Sequence, residues 1–362
     1  MDESPGWEAI DAALRGLYGD VTPLHLGTVH KWALGGPDPL DGISVYPRAE
    51  PVPHWHFISY GMSELYEKVS DNPDESGWGF EFTFRAAREP DEEKPPMWPA
   101  SLLQNLGRYV YTSGNWFESG HHINPNGPIQ ADNEDSEIRG LTFITDPELG
   151  AISTPHGRVE FLQVVGLAME EYEALRQWRP DGLLQALSPH LPLYVTDVNR
   201  RSLMSLPDVA RAVEEGKARD GSSDGFLYVD TAEWERGAET TTVRMGAVEA
   251  AAVVDALQGR LPFGRALILE TDSTRLAFHP GDAFAIEEPR EGVLDMYVPQ
   301  DALDDLKAAI RPTAGRTAVP SLPGLTVEIV PTVLKDRSGN ETGKVVGPLR
   351  PRPPGPPDGP PA

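Results

Sequence analysis

The feature that most constrains the fold is the stretch WGFEFTFRA at residues 78–86. Its side chains alternate between aromatic and polar types: Trp78, Phe80, Phe82 and Phe84 against Glu81, Thr83 and Arg85. Successive side chains of a β-strand point to opposite faces of the sheet. This period of two therefore predicts a half-buried strand, with its aromatic face on a core and its polar face in solvent.

The other periodic segments mix strands and helices without a regular βαβ alternation. The predicted helices are residues 6–18, 99–112, 167–178, 206–216, 247–258 and 299–310. The predicted strands are residues 42–46, 54–60, 140–145, 158–166, 191–198, 226–230, 240–245 and 324–331, with several short strands between 266 and 298. This order predicts an α+β fold of two lobes, each a mixed or antiparallel sheet packed with helices.

One glycine-rich polar segment, KARDGSSDG at residues 217–225, is typical of a domain boundary. We therefore predict an N-terminal lobe at 1–216, this linker, and a C-terminal lobe at 226–335. Residues 336–362 contain GPLRPRPPGPPDGPPA, which cannot bury apolar surface, and they are predicted to be a Pro-rich disordered tail.

The charge balance limits the kinds of partner. The chain has 31 basic and 56 acidic residues, a net charge of −25, which opposes binding to nucleic acid or anionic lipid and would attract a basic partner. It has no cysteine, so disulfides and thiolate chemistry are excluded. The first residues do not resemble a secretory signal and no apolar run is long enough to span a membrane, so a cytoplasmic protein is expected.

No motif defines a catalytic centre. GSSDG at 221–225 matches a nucleophile pattern around Ser223, but it lies in the predicted linker rather than between a strand and a helix. The glycines of WALGGPDPLDG lack the lysine and the spacing of a phosphate loop, so a rigid corner is favoured there. We predict a non-enzymatic protein that needs no cofactor.

The histidines offer one alternative. His54 and His56 share a face of a predicted strand, where two imidazoles could bind zinc, and His121 or His122 could add a third ligand. No HExxH motif accompanies them, so hydrogen-bonded core histidines are the favoured interpretation. A metal-assisted enzyme using these residues is kept as the alternative function.

Several long segments, in order, resemble the Suppressor of fused family. They are WALGGPDPLDGISVY, HWHFISYGMSELY, GWGFEFTFR, WPASLLQNLGRYVYTSGNWFESG, DPELGAISTPHGRVEFLQVVG and LYVTDVNRRS, with GRLPFGRALIL and LDMYVPQDALDDL as weaker matches in the second lobe. The resemblance implies a two-lobed, non-enzymatic protein that clamps an extended peptide between its lobes. Animal members hold transcription factors of the Hedgehog pathway in this way, and bacterial members have been proposed as immunity proteins against toxins.

The resemblance also implies partner-binding positions. The family's contacting tyrosine corresponds to Tyr109, its contacting aspartate falls on His121, and its contacting glutamate falls on Thr145. The histidine of the second lobe falls on Ala266. Because these replacements remove most of the family's polar contacts, we expect a bacterial-type member with a protein or peptide partner of its own. The resemblance to bacterial members implies a toxin as that partner.

Overall fold

The structure is a computed structural model that describes residues 4–29, 32, 35–335 and 341–347. Its helices are α1 (Pro5–Tyr18), α2 (Trp98–Ser113), α3 (Met169–Gln177), α4 (Pro180–Leu187), α5 (Pro207–Asp220), α6 (Ala250–Arg260) and α7 (Leu303–Ala309). The first ten strands are β1 (Leu24–Gly27), β2 (Gly42–Arg48), β3 (His54–Tyr60), β4 (Glu75–Ala87), β5 (His122–Ile123), β6 (Ile138–Thr145), β7 (Ala151–Thr154), β8 (Gly157–Ala168), β9 (Phe226–Tyr228) and β10 (Ala232–Arg236). The others are β11 (Thr241–Gly246), β12 (Leu267–Glu270), β13 (Arg275–Pro280), β14 (Ala285–Arg290), β15 (Val293–Val298), β16 (Gly315–Ala318), β17 (Leu325–Val330), β18 (Thr332–Lys335) and β19 (Glu341–Val346).

The contacts divide the described chain into two units. Unit 1 comprises the described residues up to Leu175 together with Arg179–Glu215, and unit 2 comprises Arg176–Trp178 with the described residues from Gly216 onward. Both units combine helices with mixed sheets, so the α+β fold is confirmed.

Unit 1 is built on an eight-stranded sheet. Its strand order is β1-β2-β3-β4-β8-β6-β5, with β7 paired to β8. Strands β4 and β8 are parallel, and the other pairs are antiparallel. The aromatic residues of β4 share an apolar core with α2, while α1 packs with Tyr46, Ile58 and Phe161 in a separate cluster.

The predicted half-buried strand β4 is buried on both faces, so the expectation of a solvated polar face is wrong. Glu81, Thr83 and Arg85 have no exposed surface. The reason is that β4 lies in the middle of the sheet, between β3 and β8, and that α1 and the residues packed with it cover the polar side. Period-two alternation indicates that the two faces of a strand differ in chemistry. It does not require either face to be exposed to solvent.

Unit 2 contains three sheets. They are a four-stranded sheet in the order β10-β11-β17-β16, a five-stranded sheet in the order β14-β15-β13-β12-β9, and the hairpin β18-β19. Helices α6 and α7 contribute Leu257, Leu303 and Leu306 to one core with the strands of the two larger sheets.

The predicted linker and the predicted tail both differ in part from the structure. Helix α5 continues to Asp220, four residues into the predicted linker, since Lys217, Ala218 and Arg219 are compatible with a helix. Residues 341–346 of the predicted tail form β19, because Val345 and Val346 are good strand formers and pair with Val333 and Thr332 of β18. Residues 336–340 and 348–362 of the tail lie outside the described residues. The domain boundaries therefore stay a prediction.

The predicted strand at residues 191–198 is also wrong. Leu193 and Tyr194 have left-handed φ angles of 50° and 52°, which a strand does not allow. A short 3₁₀ turn forms instead, and Gln163 Nε2 donates to the Leu193 carbonyl at 2.9 Å. Only Thr196 retains a single bridge, to Ala86 of β4.

Candidate partner-binding site

The segment between α2 and β5 brings exposed aromatic side chains to one edge of the unit 1 sheet. Helix α2 ends at Ser113, and Gly114 adopts a left-handed conformation (φ 74°) with its N–H bonded to the Val110 carbonyl at 2.9 Å. This αL cap turns the chain sharply, and glycine tolerates it without strain. The loop that follows carries Trp116 and Phe117.

Tyr109 and Trp116 are exposed aromatic residues held in fixed positions. The ring of buried Phe117 stacks on Phe143 with a centroid distance of 4.1 Å, and Tyr109 stacks on Phe117 at 5.5 Å. Tyr109 is 44% exposed and Trp116 is 53% exposed. Asn115 Nδ2 lies 3.2 Å from the Tyr109 hydroxyl. Rigid, half-exposed tyrosine and tryptophan rings of this kind are common binding hot spots.

His121 and Thr145, the other two predicted site residues, adjoin the same loop. His121 Nδ1 accepts a bond from the Glu118 N–H at 3.2 Å, and its side chain is exposed. Thr145 is exposed at the end of β6, where its hydroxyl donates to Glu160 Oε1 at 2.6 Å and its N–H donates to Ser119 Oγ at 3.3 Å. The structure thus brings Tyr109, His121 and Thr145 around residues 114–121, and their binding role stays a prediction.

A cavity of about 360 Å³ lies beside this loop. Trp78, Trp116 and Phe117 line it together with Thr145 and Glu160. Sequence reasoning missed Trp116 as a site residue. The signal available was an aromatic residue in a polar glycine-flanked segment, SGNWFESG.

Strand β5 forms one end of the sheet. His122 pairs with Thr142 and Ile123 with Leu141 of β6. No strand among the described residues pairs with the outer side of β5. An extended peptide can bind at such a position by adding as a further strand to the end of the sheet.

The four histidines of the metal hypothesis lie in two separate places. His54 and His56 are on β3, whereas His121 and His122 are at or before β5. Four strand spacings separate β3 from β5, roughly 19 Å. The proposed ligand set is therefore wrong, and no group of three or more metal-ligating side chains occurs among the described residues.

His54 and His56 are instead hydrogen-bonded core residues. His54 Nδ1 donates to the Val52 carbonyl at 2.7 Å. His56 Nδ1 bonds to the Tyr18 hydroxyl, and its Nε2 lies 3.3 Å from Asp146 Oδ2. Burial, together with the nearby charge of Arg85, lowers the pKa of each histidine to about 4. The imidazoles of His54 and His56 are therefore neutral at neutral pH.

Asp146, which directly follows Thr145, anchors the end of β6 in this buried polar cluster. Arg85 binds both of its carboxylate oxygens, at 2.6 and 3.1 Å, and Thr83 donates to it at 2.8 Å. Burial alone raises the pKa of Asp146, but His56 and Arg85 outweigh that effect and hold the pKa far below its usual value. The fully buried ion pair thereby fixes the position at which Thr145 reaches the surface.

A second buried carboxylate, that of Glu81, lies on the face of β4 that also carries Thr83 and Arg85. Glu81 accepts bonds from the Gly61 and Ser63 N–H groups, both at 2.9 Å, and from the hydroxyls of Ser59 and Ser63. Burial raises the pKa of Glu81, and these four bonds act against that shift. Glu81 thus ties the end of β3 to β4.

In unit 2, Ala266 immediately precedes β12 and is half-buried. Its carbonyl accepts a bond from Arg260 Nε, and its side chain offers no polar group to a partner. At the edge of the five-stranded sheet, β9 carries Phe226 and Tyr228, both well exposed.

Comparison with known proteins agrees with this architecture. The family model described as Suppressor of fused protein (SUFU) matches residues 36–201. Suppressor of fused homologs of Homo sapiens and Mus musculus are each 39% identical over 235 residues, covering 60% of this chain and 48% of the relative. The chain belongs to the Suppressor of fused family. It spans about half the length of the curated relatives that it matches.

Solved structures show the same fold. The crystal structure of Drosophila Suppressor of Fused matches with a TM-score of 0.75 at 23% identity, covering 90% of this chain and 97% of that chain. A chain of the Sufu-Fu complex crystal structure matches with a TM-score of 0.54 at 33% identity, covering 58% of this chain and 98% of that chain. The recognition made from sequence is confirmed. None of the described helices is long and apolar enough to cross a membrane.

Proposed function

We propose that this chain is a non-enzymatic protein-binding module that holds an extended segment of a partner protein at the edge of unit 1. The observation that carries the proposal is the pair of exposed aromatic rings, Tyr109 and Trp116, beside β5, the strand at the end of the sheet. Family membership and the Sufu-Fu complex among similar structures support protein binding as the general role.

The two features supply different parts of the binding energy. The backbone of β5 would hydrogen-bond to an added strand, which provides affinity with little dependence on sequence. Tyr109 and Trp116 would pack on side chains of the partner, and aromatic anchors contribute a large share of the energy of many interfaces. Tyr109 stacks on Phe117 and Trp116 bonds to Glu118, and these contacts reduce the side-chain entropy that is lost on binding.

Three more specific statements belong to the same proposal. Each unit has an open edge strand near exposed aromatic residues, β5 in unit 1 and β9 in unit 2, and this supports a clamp in which both units hold one peptide. The net charge of −25 supports a basic protein partner rather than nucleic acid or membrane. A cytoplasmic bacterial immunity protein that neutralises a toxin is the most specific form of this function.

The test is affinity purification from the source cells with three tagged proteins: the wild type, the double variant Tyr109→Ala/Trp116→Ala, and Tyr66→Ala. Tyr66 is 45% exposed, which matches Tyr109, and it lies outside the site. We expect partners that the wild type and Tyr66→Ala retain and the double variant loses, with affinity reduced by at least about 2 kcal/mol in calorimetry. Equal recovery by all three proteins would contradict the proposal.

A further inference from the structure

We propose that the cavity beside Trp116 accepts the cationic side chain of an arginine or lysine of the bound partner. This inference rests on the proposed function and adds the chemistry of one subsite. A volume of about 360 Å³ falls within the range of specific ligand pockets.

The charge of the cavity favours a cation. Among its lining residues are three carboxylates, Glu75, Glu118 and Glu160, and one guanidinium, Arg158, so the lining carries a net charge of −2. An anionic side chain would be repelled there. The carboxylates would attract a cation at separations shorter than the Debye length, where salt screens the attraction only weakly.

The carboxylates that flank Trp116 and Thr145 are held in place yet can accept more bonds. Glu160 accepts one bond from Thr145 and one from Arg158 at 2.7 Å, and Glu118 accepts one from Trp116 Nε1 at 2.8 Å. A carboxylate has about four acceptor positions. Each side chain therefore has room for donors from a guanidinium or ammonium group without losing its present contacts.

The aromatic lining selects a cation over a neutral polar group. Trp78 and Trp116 contribute indole rings, and the faces of such rings attract cations. The Nε1 bond to Glu118 restricts the ring of Trp116 next to a carboxylate. Stacking on an aromatic ring together with bonds to carboxylates is the environment in which arginine binds best, and lysine is the weaker occupant.

Part of the cavity lining belongs to β6, the strand next to the edge strand β5. Thr145 lines the cavity and lies on β6, the strand to which β5 pairs. A peptide added along β5 would direct alternate side chains to one face of the sheet. One basic residue at a fixed position of the peptide is thus the expected recognition element.

The test is selection of random peptides displayed on phage against four purified proteins. These are the wild type, Glu118→Gln/Glu160→Gln, Tyr109→Ala/Trp116→Ala, and the control Glu93→Gln. Glu93 is exposed and lies beyond the opposite end of β4 from Glu75, so the control changes charge outside the cavity. Glutamine keeps an acceptor for Thr145 and Trp116, and circular dichroism confirms that each variant is folded.

We expect peptides from the wild type and from Glu93→Gln to contain arginine or lysine at one position, and the double glutamine variant to lose that preference. For a selected peptide, replacing the arginine by citrulline is expected to weaken binding to the wild type about tenfold. The same replacement should have little effect on binding to the double glutamine variant.

The outcomes separate this inference from the proposed function. Peptides that require Tyr109 and Trp116 but show no basic preference, or a preference unchanged by the glutamine substitutions, would overturn the cationic subsite alone. If no selected peptide depends on Tyr109 and Trp116, both the proposed function and the subsite are refuted.

Discussion

At the scale of single residues, Arg85 is the largest side chain that is fully buried, and its neighbours explain how the fold tolerates it. Asp146 binds it through two oxygens, and Glu148 accepts a further bond at 2.9 Å. A buried charge costs several kcal/mol in desolvation unless such partners are present. His56 and Tyr18 complete the cluster as neutral groups.

The buried histidines predict a loss of stability in mild acid. His54 and His56 have pKa values of about 4 when folded, compared with about 6.5 when unfolded. Above pH 6.5 both states are neutral and this stability is fully present. As the pH falls from about 6.5 to about 4, the unfolded chain binds the protons first, so the free energy of unfolding decreases by up to about 3 kcal/mol per histidine.

The measurement is urea denaturation of the wild type and His56→Gln at several pH values across this range. The variant is expected to lose less stability between the two limits, since one titrating group is absent. Asp146, whose pKa is lowered, contributes stability that disappears only at still lower pH. Identical pH dependence of the two proteins would show that His56 does not titrate in the expected way.

At the residue scale, the sequence predicted which side chains of β4 share a face. The family resemblance gave Tyr109, His121 and Thr145 as partner-binding positions, and that role stays a prediction. The sequence did not predict that Arg85 is buried, because its partner Asp146 is 61 positions away. It also did not identify Glu118 and Glu160. Their position beside Trp116 and Thr145 depends on a loop fold and a strand register.

At the scale of secondary-structure elements, β8 shows how closely the layers of unit 1 pack. Gly166 lies in this strand, and its N–H donates to Thr196 Oγ1 at 3.0 Å. A Cβ atom at Gly166 would lie 2.6 Å from Thr196 Cγ2 and 2.7 Å from Ile138 Cγ2. Only a residue without a side chain fits between these neighbours.

Gly166→Ala is therefore expected to destabilise the protein by about 1–3 kcal/mol through overpacking. The matched control is Gly27→Ala in β1, where a Cβ atom would meet nothing within 4 Å. Thermal or urea denaturation of both variants measures the difference. Equal destabilisation by the two substitutions would mean that the residues around Gly166 can shift to accommodate a Cβ atom.

Elements with strong periodicity were predicted well, and short or irregular ones were not. Helices α1 and α2 and strands β2 and β3 follow the predicted ranges closely. Strands β1, β5, β7 and β10 were not predicted, because two to five residues carry too little pattern. The sequence of residues 191–198 is typical of a strand, but Leu193 and Tyr194 form a left-handed turn. In this turn the Leu193 carbonyl accepts a hydrogen bond from the Gln163 side chain.

At the scale of the whole molecule, the net charge of −25 predicts how a basic partner would associate. Opposite charges steer encounter, and salt screens that attraction. The association rate is expected to fall at least about tenfold between about 50 mM and about 300 mM salt, while the dissociation rate changes less. Surface plasmon resonance with the purified partner measures both rates, and an association rate independent of salt would exclude electrostatic steering.

The sequence by itself determined the local elements, the α+β class and the family, because hydrophobic periodicity and ordered motifs are properties of neighbouring residues. Only the tertiary structure decided which distant polar groups meet. The order β4-β8-β6 places Asp146 on Arg85 and leaves Thr145 at the surface, next to Glu160. The same sheet ends at β5, and the loop before it brings Trp116 to the cavity. Such convergence depends on strand order and register, which are set by packing across the whole unit.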